Sequence, residues 1–183
     1  MTNIPAHFKI EMRPQAIKSA VVRVGKARFS WLTPRIIRME YSESVQFEER
    51  ASQAFWYREQ LKVAYQKQAN AEGGVTLENE YLKLVYTGGE FSPASLSIEV
   101  KSLQTTWHFG DLADGNLGGT GRTVDGARGA IPIETGLISK DGWSLVDDSA
   151  SLVFNQDCWL IPRNAPEGNL DLYFLGFGHD YLG

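Results

Sequence analysis

The stretch ARFSWLTPRIIRMEY, residues 27–41, decides the fold class. Two runs rich in aromatic and β-branched residues flank Pro34, whose fixed φ and missing N–H interrupt a ladder and favour a turn. In the second run Ile37, Met39 and Tyr41 fall on one side and Arg38 and Glu40 on the other, because successive strand side chains point in opposite directions. This predicts a hairpin of strands 27–32 and 36–41, with one face of its sheet buried and the charged face turned to water. Working outward, residues 20–24 supply a strand before the hairpin. Residues 52–65 hold two more runs, the second with Leu61, Val63 and Tyr65 on one face and Lys62 on the other. A polar loop at 70–74 precedes Val75 and Leu77, then Leu82, Leu84 and Tyr86, then a Gly88-Gly89 turn, then Leu96, Ile98 and Val100. Between the apolar runs of 137–146, Asp141-Gly142 suits a tight hairpin turn. Helix-period segments of ten or more residues are missing, which excludes a parallel α/β sheet within this chain. The expectation is an all-β, antiparallel two-sheet sandwich forming a single domain over residues 1–183.

Composition narrows the class of function. A length of 183 residues with 43% hydrophobic content suits one large β domain with its own core. The net charge of −4 and 18 scattered Lys and Arg offer no field for phosphates, so nucleic acid is not an expected partner. One cysteine, Cys158, cannot close an internal disulfide, and the first residues carry no apolar run of signal-peptide length. No run approaches the roughly 18 apolar residues of a membrane helix. A cytoplasmic chain with no membrane association is expected, and no pattern calls for a cofactor or a metal.

Several motifs invite a chemical reading. The run GNLGGTGRTVDG, residues 115–126, is rich in glycine, but it lacks the Lys-Ser/Thr of a P-loop and has Val124 where a dinucleotide fingerprint needs Gly. Its glycines suit tight turns or close backbone approach, or a loop that faces a ligand. Asp147 and Asp148 are adjacent, so on a strand they point to opposite faces and do not converge on one substrate. They read instead as a strand end capping the N–H groups of a turn at Ser149. Of the five tryptophans, Trp31, Trp56, Trp107, Trp143 and Trp159, most belong in the core. Trp143 follows the Asp-Gly turn and is the candidate for an exposed, sugar-stacking ring. His108 with Glu134 is the one pairing that fits acid–base work on a sugar hydroxyl.

The runs NLGGTGRTVD (116–125), GLISKDGWSLVDDS (136–149) and DLYFLGFGHDYLG (171–183) resemble, in this order, blocks of the N-terminal domain of glycoside hydrolase family 31, the α-glucosidase and α-xylosidase type. LTPRIIRMEYS (32–42) and NEYLKLVYTGGEFSP (79–93) are similar to that domain's first strands, so the resemblance spans nearly the whole chain. It implies a galactose-mutarotase-like β-sandwich that precedes a (β/α)8 catalytic barrel acting on α-linked oligosaccharides or α-glucosides with retention. Retention requires two carboxyl groups about 5 Å apart. In the family both sit on the barrel, so no residue of this chain is carried over as catalytic, and the chain alone is expected to be inactive. A sandwich loop reaches the barrel mouth in the family. The matching positions lie within 122–133, where Arg122 and Asp125 either contact sugar hydroxyls or pair with one another in a turn. His179 and Asp180 fall at the junction with the barrel. A stand-alone carbohydrate-binding module and a mutarotase-like epimerase are the alternatives.

Overall fold

The computed structural model of the protein describes residues 5, 7, 10–70, 73–119, 126 and 128–182. A turn of 3-10 helix, Lys18–Ala20, leads into β1 (Val21–Val24), β2 (Ala27–Thr33) and β3 (Ile36–Tyr41). Then come β4 (Gln66–Ala69), β5 (Val75–Glu78), β6 (Leu82–Tyr86), β7 (Leu96–Val100) and β8 (Thr105–His108). The chain closes with β9 (Ser144–Asp147), β10 (Val153–Phe154), β11 (Leu160–Ile161) and β12 (Leu170–Leu175). The protein is an antiparallel sandwich of two five-stranded sheets, ordered β1-β2-β3-β12-β9 and β4-β5-β6-β7-β8, with β10 and β11 as a separate hairpin.

Alternation builds the core. In the first sheet Met39 stands opposite Phe29 and Leu172, and Ile37 opposite Trp31 and Phe174. In the second, Leu84 stands between Leu77 and Ile98, and Ile98 beside Trp107. All of these side chains are buried in one cluster between the sheets, where area removed from water supplies the main driving force. The outer face of the second sheet stays polar, with Lys83 registered between Glu78 and Glu99, pairings that favour this register.

The first sheet departs from the expected one-sided arrangement. Arg38 and Glu40, expected to face water, are 3% and 2% exposed. Two segments around 46–58 and 148–163 lie over that face. Phe55 stacks flat on Tyr173 at 3.5 Å between ring centres, Phe47 sits 4.6 Å from the Arg28 guanidinium, and Arg58 donates to the Tyr173 hydroxyl at 2.6 Å. Residues 53–65 accordingly form no strand of four or more residues. The segment is spent crossing from this cover to the second sheet, so Val63 is buried, Tyr65 packs 5.9 Å from Trp31, and Leu61 is left 89% exposed. The 137–146 stretch differs too. Asp141-Gly142 does turn, with Gly142 at φ +76, yet no hairpin forms, because Ser139 bridges to Asn116 and β9 pairs only with β12.

Candidate functional site

Three segments meet at one end of the first sheet: the 139–142 turn, the start of β9, and the 176–182 tail that leaves β12. Their contact is backbone on backbone. Gly178 N–H donates to the Gly142 carbonyl at 2.8 Å, and a Cβ on Gly142 would lie 3.0 Å from Gly178 Cα and 2.1 Å from the Leu103 side chain. Only residues without side chains allow that approach. His179 Nε2 lies 3.0 Å from the Lys140 carbonyl oxygen. Arg35, in the β2–β3 turn, donates to Asp180 at 2.6 Å and lies over the rings of Tyr81 and Phe177.

The Gly-rich segment is tied to the same place. Asn116 Oδ1 accepts from Gly118 N–H at 2.9 Å and Gly136 N–H at 2.8 Å, while its Nδ2 donates to the Gly136 carbonyl at 2.9 Å. Asp141 accepts from Gly115 N–H at 2.8 Å. Close backbone approach accounts for Gly136, where a Cβ would fall 2.3 Å from the Gly118 oxygen, and a positive φ for Gly118 and Gly126, at +72 and +78.

Between the turn and the tail lies a cavity of about 160 Å³, lined by Leu137, Ile138, Trp143, Leu175, Phe177 and Tyr181 among others. Around it apolar side chains face outward: Leu137 is 65% exposed, Ile138 48% and Tyr181 50%. Ser139, Ser144 and Asp180 supply its polar walls.

Trp143 reaches this cavity but is not an exposed ring. It is 9% exposed and stacks on Phe174, with Trp107 at 6.2 Å between centres. β9 starts right after the turn and carries the indole inward. Trp159, at the tip of the β10–β11 hairpin, is the exposed tryptophan at 48%. Arg122 and Asp125 lie outside the described residues. Asp147 caps the Ser149 N–H at 2.9 Å as expected, whereas Asp148 does not cap this turn: it is fully buried and accepts from Arg163 at 2.9 Å. His108 stands by Asp111, its Nδ1 3.6 Å from the carboxylate.

Sequence reasoning missed the charge network beneath the cover. Asp171 accepts two bonds from Arg38 at 2.7 Å and one from Arg163 at 2.6 Å, and Glu40 accepts two from Arg28 at 2.6 and 2.8 Å. Burial works to raise the Asp171 carboxyl, but the charge and hydrogen bonds of Arg38, with those of Arg163, outweigh it and hold the group at about 2. Cross-strand register was the available signal: Arg28, Glu40 and Asp171 stand in one row across β2, β3 and β12. Among the described residues no group of three or more His, Cys, Asp or Glu is placed to hold a metal ion.

Comparison with protein-family models and with curated proteins finds no match to this chain. The site therefore rests on its own geometry. No helix among the described residues is long and apolar enough to cross a membrane.

Proposed function

We propose that this chain is the accessory β-sandwich of a retaining α-glycosidase of the family 31 type, and that its C-terminal face docks on the catalytic (β/α)8 barrel of the same protein. The observation that carries the reading is the cluster of exposed Leu137, Ile138 and Tyr181 that line one cavity with Trp143, Leu175 and Phe177. Outward-facing apolar groups gathered beside polar walls are the mark of a surface that another body covers. The tail that forms this face also holds GFGHDYLG, the block of the resemblance that adjoins the barrel. In this reading the sandwich positions the 122–133 loop, with Arg122 and Asp125, at the mouth of the α-glucoside pocket. Trp143 supports the docking face from behind.

A stand-alone carbohydrate-binding module fits less well. Such modules present aromatic rings along a sheet, and among the described residues the exposed rings Tyr57, Trp159 and Tyr181 lie on no strand of either five-stranded sheet. The test is the protein at the length its gene specifies, assayed on 4-nitrophenyl α-D-glucoside with the product anomer followed by NMR. Retention is expected, with kcat/KM at least roughly tenfold lower in Leu137→Asp/Tyr181→Asp. A protein that cleaves no α-glycoside, or a double variant with full activity, would overturn the reading.

A further inference from the structure

The cover over the outer face of the first sheet leaves part of its β1–β2 side open. One edge of the cover is the Glu48 carbonyl, which accepts from Arg28 at 3.3 Å and from Arg38 at 3.0 Å. Beside it lies an open cavity of about 690 Å³, with β1 and β2 as its floor and Gln15, Ala16 and Lys18 as a wall. Four cations line it, Lys18, Arg23, Arg28 and Arg38, against one carboxylate, Glu49. These cations are scattered in sequence, and the register gathers them: Arg23 stands opposite Arg28, and Ser30 lies between Val21 and Arg38. The overall charge of −4 hides this local excess.

Part of this charge is matched within the protein. Arg28 donates to Glu40 through Nε and Nη2 at 2.6 and 2.8 Å and to Glu49 through Nη1, so the one carboxylate of the lining is already engaged. Arg38 donates to Asp171 through Nε and Nη2 at 2.7 Å. Lys18 and Arg23, both exposed, have no carboxylate partner among the described residues, and Arg23 rests 5.6 Å from the Phe47 ring. At the floor, Arg38 Nη1 and the Ser30 hydroxyl make no hydrogen bond among the described residues, although the two residues are only 3% and 2% exposed. Neither atom is one of those sealed from solvent without a partner, so both reach the space that their residues line. Two unmatched cations and two free donors around one concave space select a ligand of the opposite sign, whose oxygens accept from all four. A cleft walled by one sign of charge also concentrates the field that draws such a ligand in. We propose that this cavity binds a small organic dianion, with Lys18 and Arg23 meeting its charge and Arg38 Nη1 and the Ser30 hydroxyl donating to its oxygens. None of the lining residues belongs to the docking face, so the proposal stands apart from that reading.

The test is chemical-shift mapping on the isotope-labelled 183-residue chain, titrated at about pH 7.5 with methyl phosphate, a dianion there, with succinate, and with D-glucose as the neutral control. Saturable shifts are expected at the Lys18, Arg23 and Ser30 amides with the dianions, and glucose should bind at least roughly tenfold more weakly. Saturation with one dianion alone upholds the proposal and names the oxyanion group it favours. Raising NaCl from about 20 to about 300 mM should weaken binding at least roughly fivefold, since the cations at the mouth are screened. Lys18→Gln/Arg23→Gln changes two exposed side chains and should weaken binding at least roughly tenfold while the Leu84 and Ile98 amides keep their positions. Glu49→Gln removes the carboxylate of the lining and should tighten binding at least roughly twofold. The proposal is overturned by any of three results: no saturable shift at these amides with either dianion, a glucose response as strong as theirs, or an undiminished response in the Lys18→Gln/Arg23→Gln variant.

Discussion

Asp171 concentrates the chemistry of the covered face in one side chain. It binds Arg38 through two oxygens and shares one of them with Arg163. Removing one member of a buried ion network leaves the others uncompensated, so Asp171→Asn should lower unfolding free energy by about 3–5 kcal/mol, read by urea denaturation. The pH dependence follows from the direction of the shift. The carboxyl is held at about 2 against an ordinary value of 3.8, so its contribution, about 2 kcal/mol, is present above the ordinary value and is lost as pH falls through the folded one. Glu40 has the opposite sign: burial raises its carboxyl despite Arg38 and Arg28, so it takes a proton first, and that step favours the folded state. Stability should therefore hold on acidification to about pH 4 and fall between about 4 and 2. A denaturation midpoint that drops steadily from pH 6 to 4 would contradict this. Gly142 is the second decisive residue. Gly142→Ala places a Cβ at φ +76 and against Gly178, and should cost about 1–3 kcal/mol by thermal unfolding while displacing the 176–182 amides.

At the scale of elements, β12 organises the first sheet: it pairs with β3 along its whole length and with β9 on its other side. Its Phe174 meets Trp107 across the sandwich and stacks on Trp143 at the start of the neighbouring β9. Phe174→Ala should cost about 3–5 kcal/mol in chemical unfolding, as aromatic truncations in close-packed cores do. The strands legible in sequence were those whose apolar residues recur with period two. Ile37, Met39 and Tyr41 predicted β3, and Leu82, Leu84 and Tyr86 predicted β6, because each sends alternate side chains into the core. The same rule misread residues 61–65, where alternation occurs in a crossing segment that forms no strand, and passed over β8, whose single buried residue, Trp107, gives no period. It also misassigned Arg38 and Glu40. Alternation records which residues share a face, while what covers that face depends on segments outside the strand, such as Phe47, Phe55 and Arg163.

On the scale of the whole molecule, the two faces of the first sheet and its C-terminal end divide the work. The inner face holds the core, the outer face holds the charge network, and the end carries exposed Leu137, Ile138 and Tyr181. A junction is expected here because GFGHDYLG ends the resemblance, whereas the exposure of Leu137 and Ile138 was not legible, since their run reads as an interior strand. Substitution there should separate binding from folding: Leu137→Ser should alter stability by no more than about 0.5 kcal/mol in urea, because the side chain is already 65% exposed. The central claim, that this face is covered by a catalytic barrel, is tested most directly by hydrogen exchange. Amide protection at 136–143 and 176–182 is compared between the 183-residue chain and the protein at the length its gene specifies. The expected result is at least roughly tenfold slower exchange at these segments in the longer protein, with the β5–β7 amides unchanged. Equal exchange at 136–143 and 176–182 in the two would contradict it.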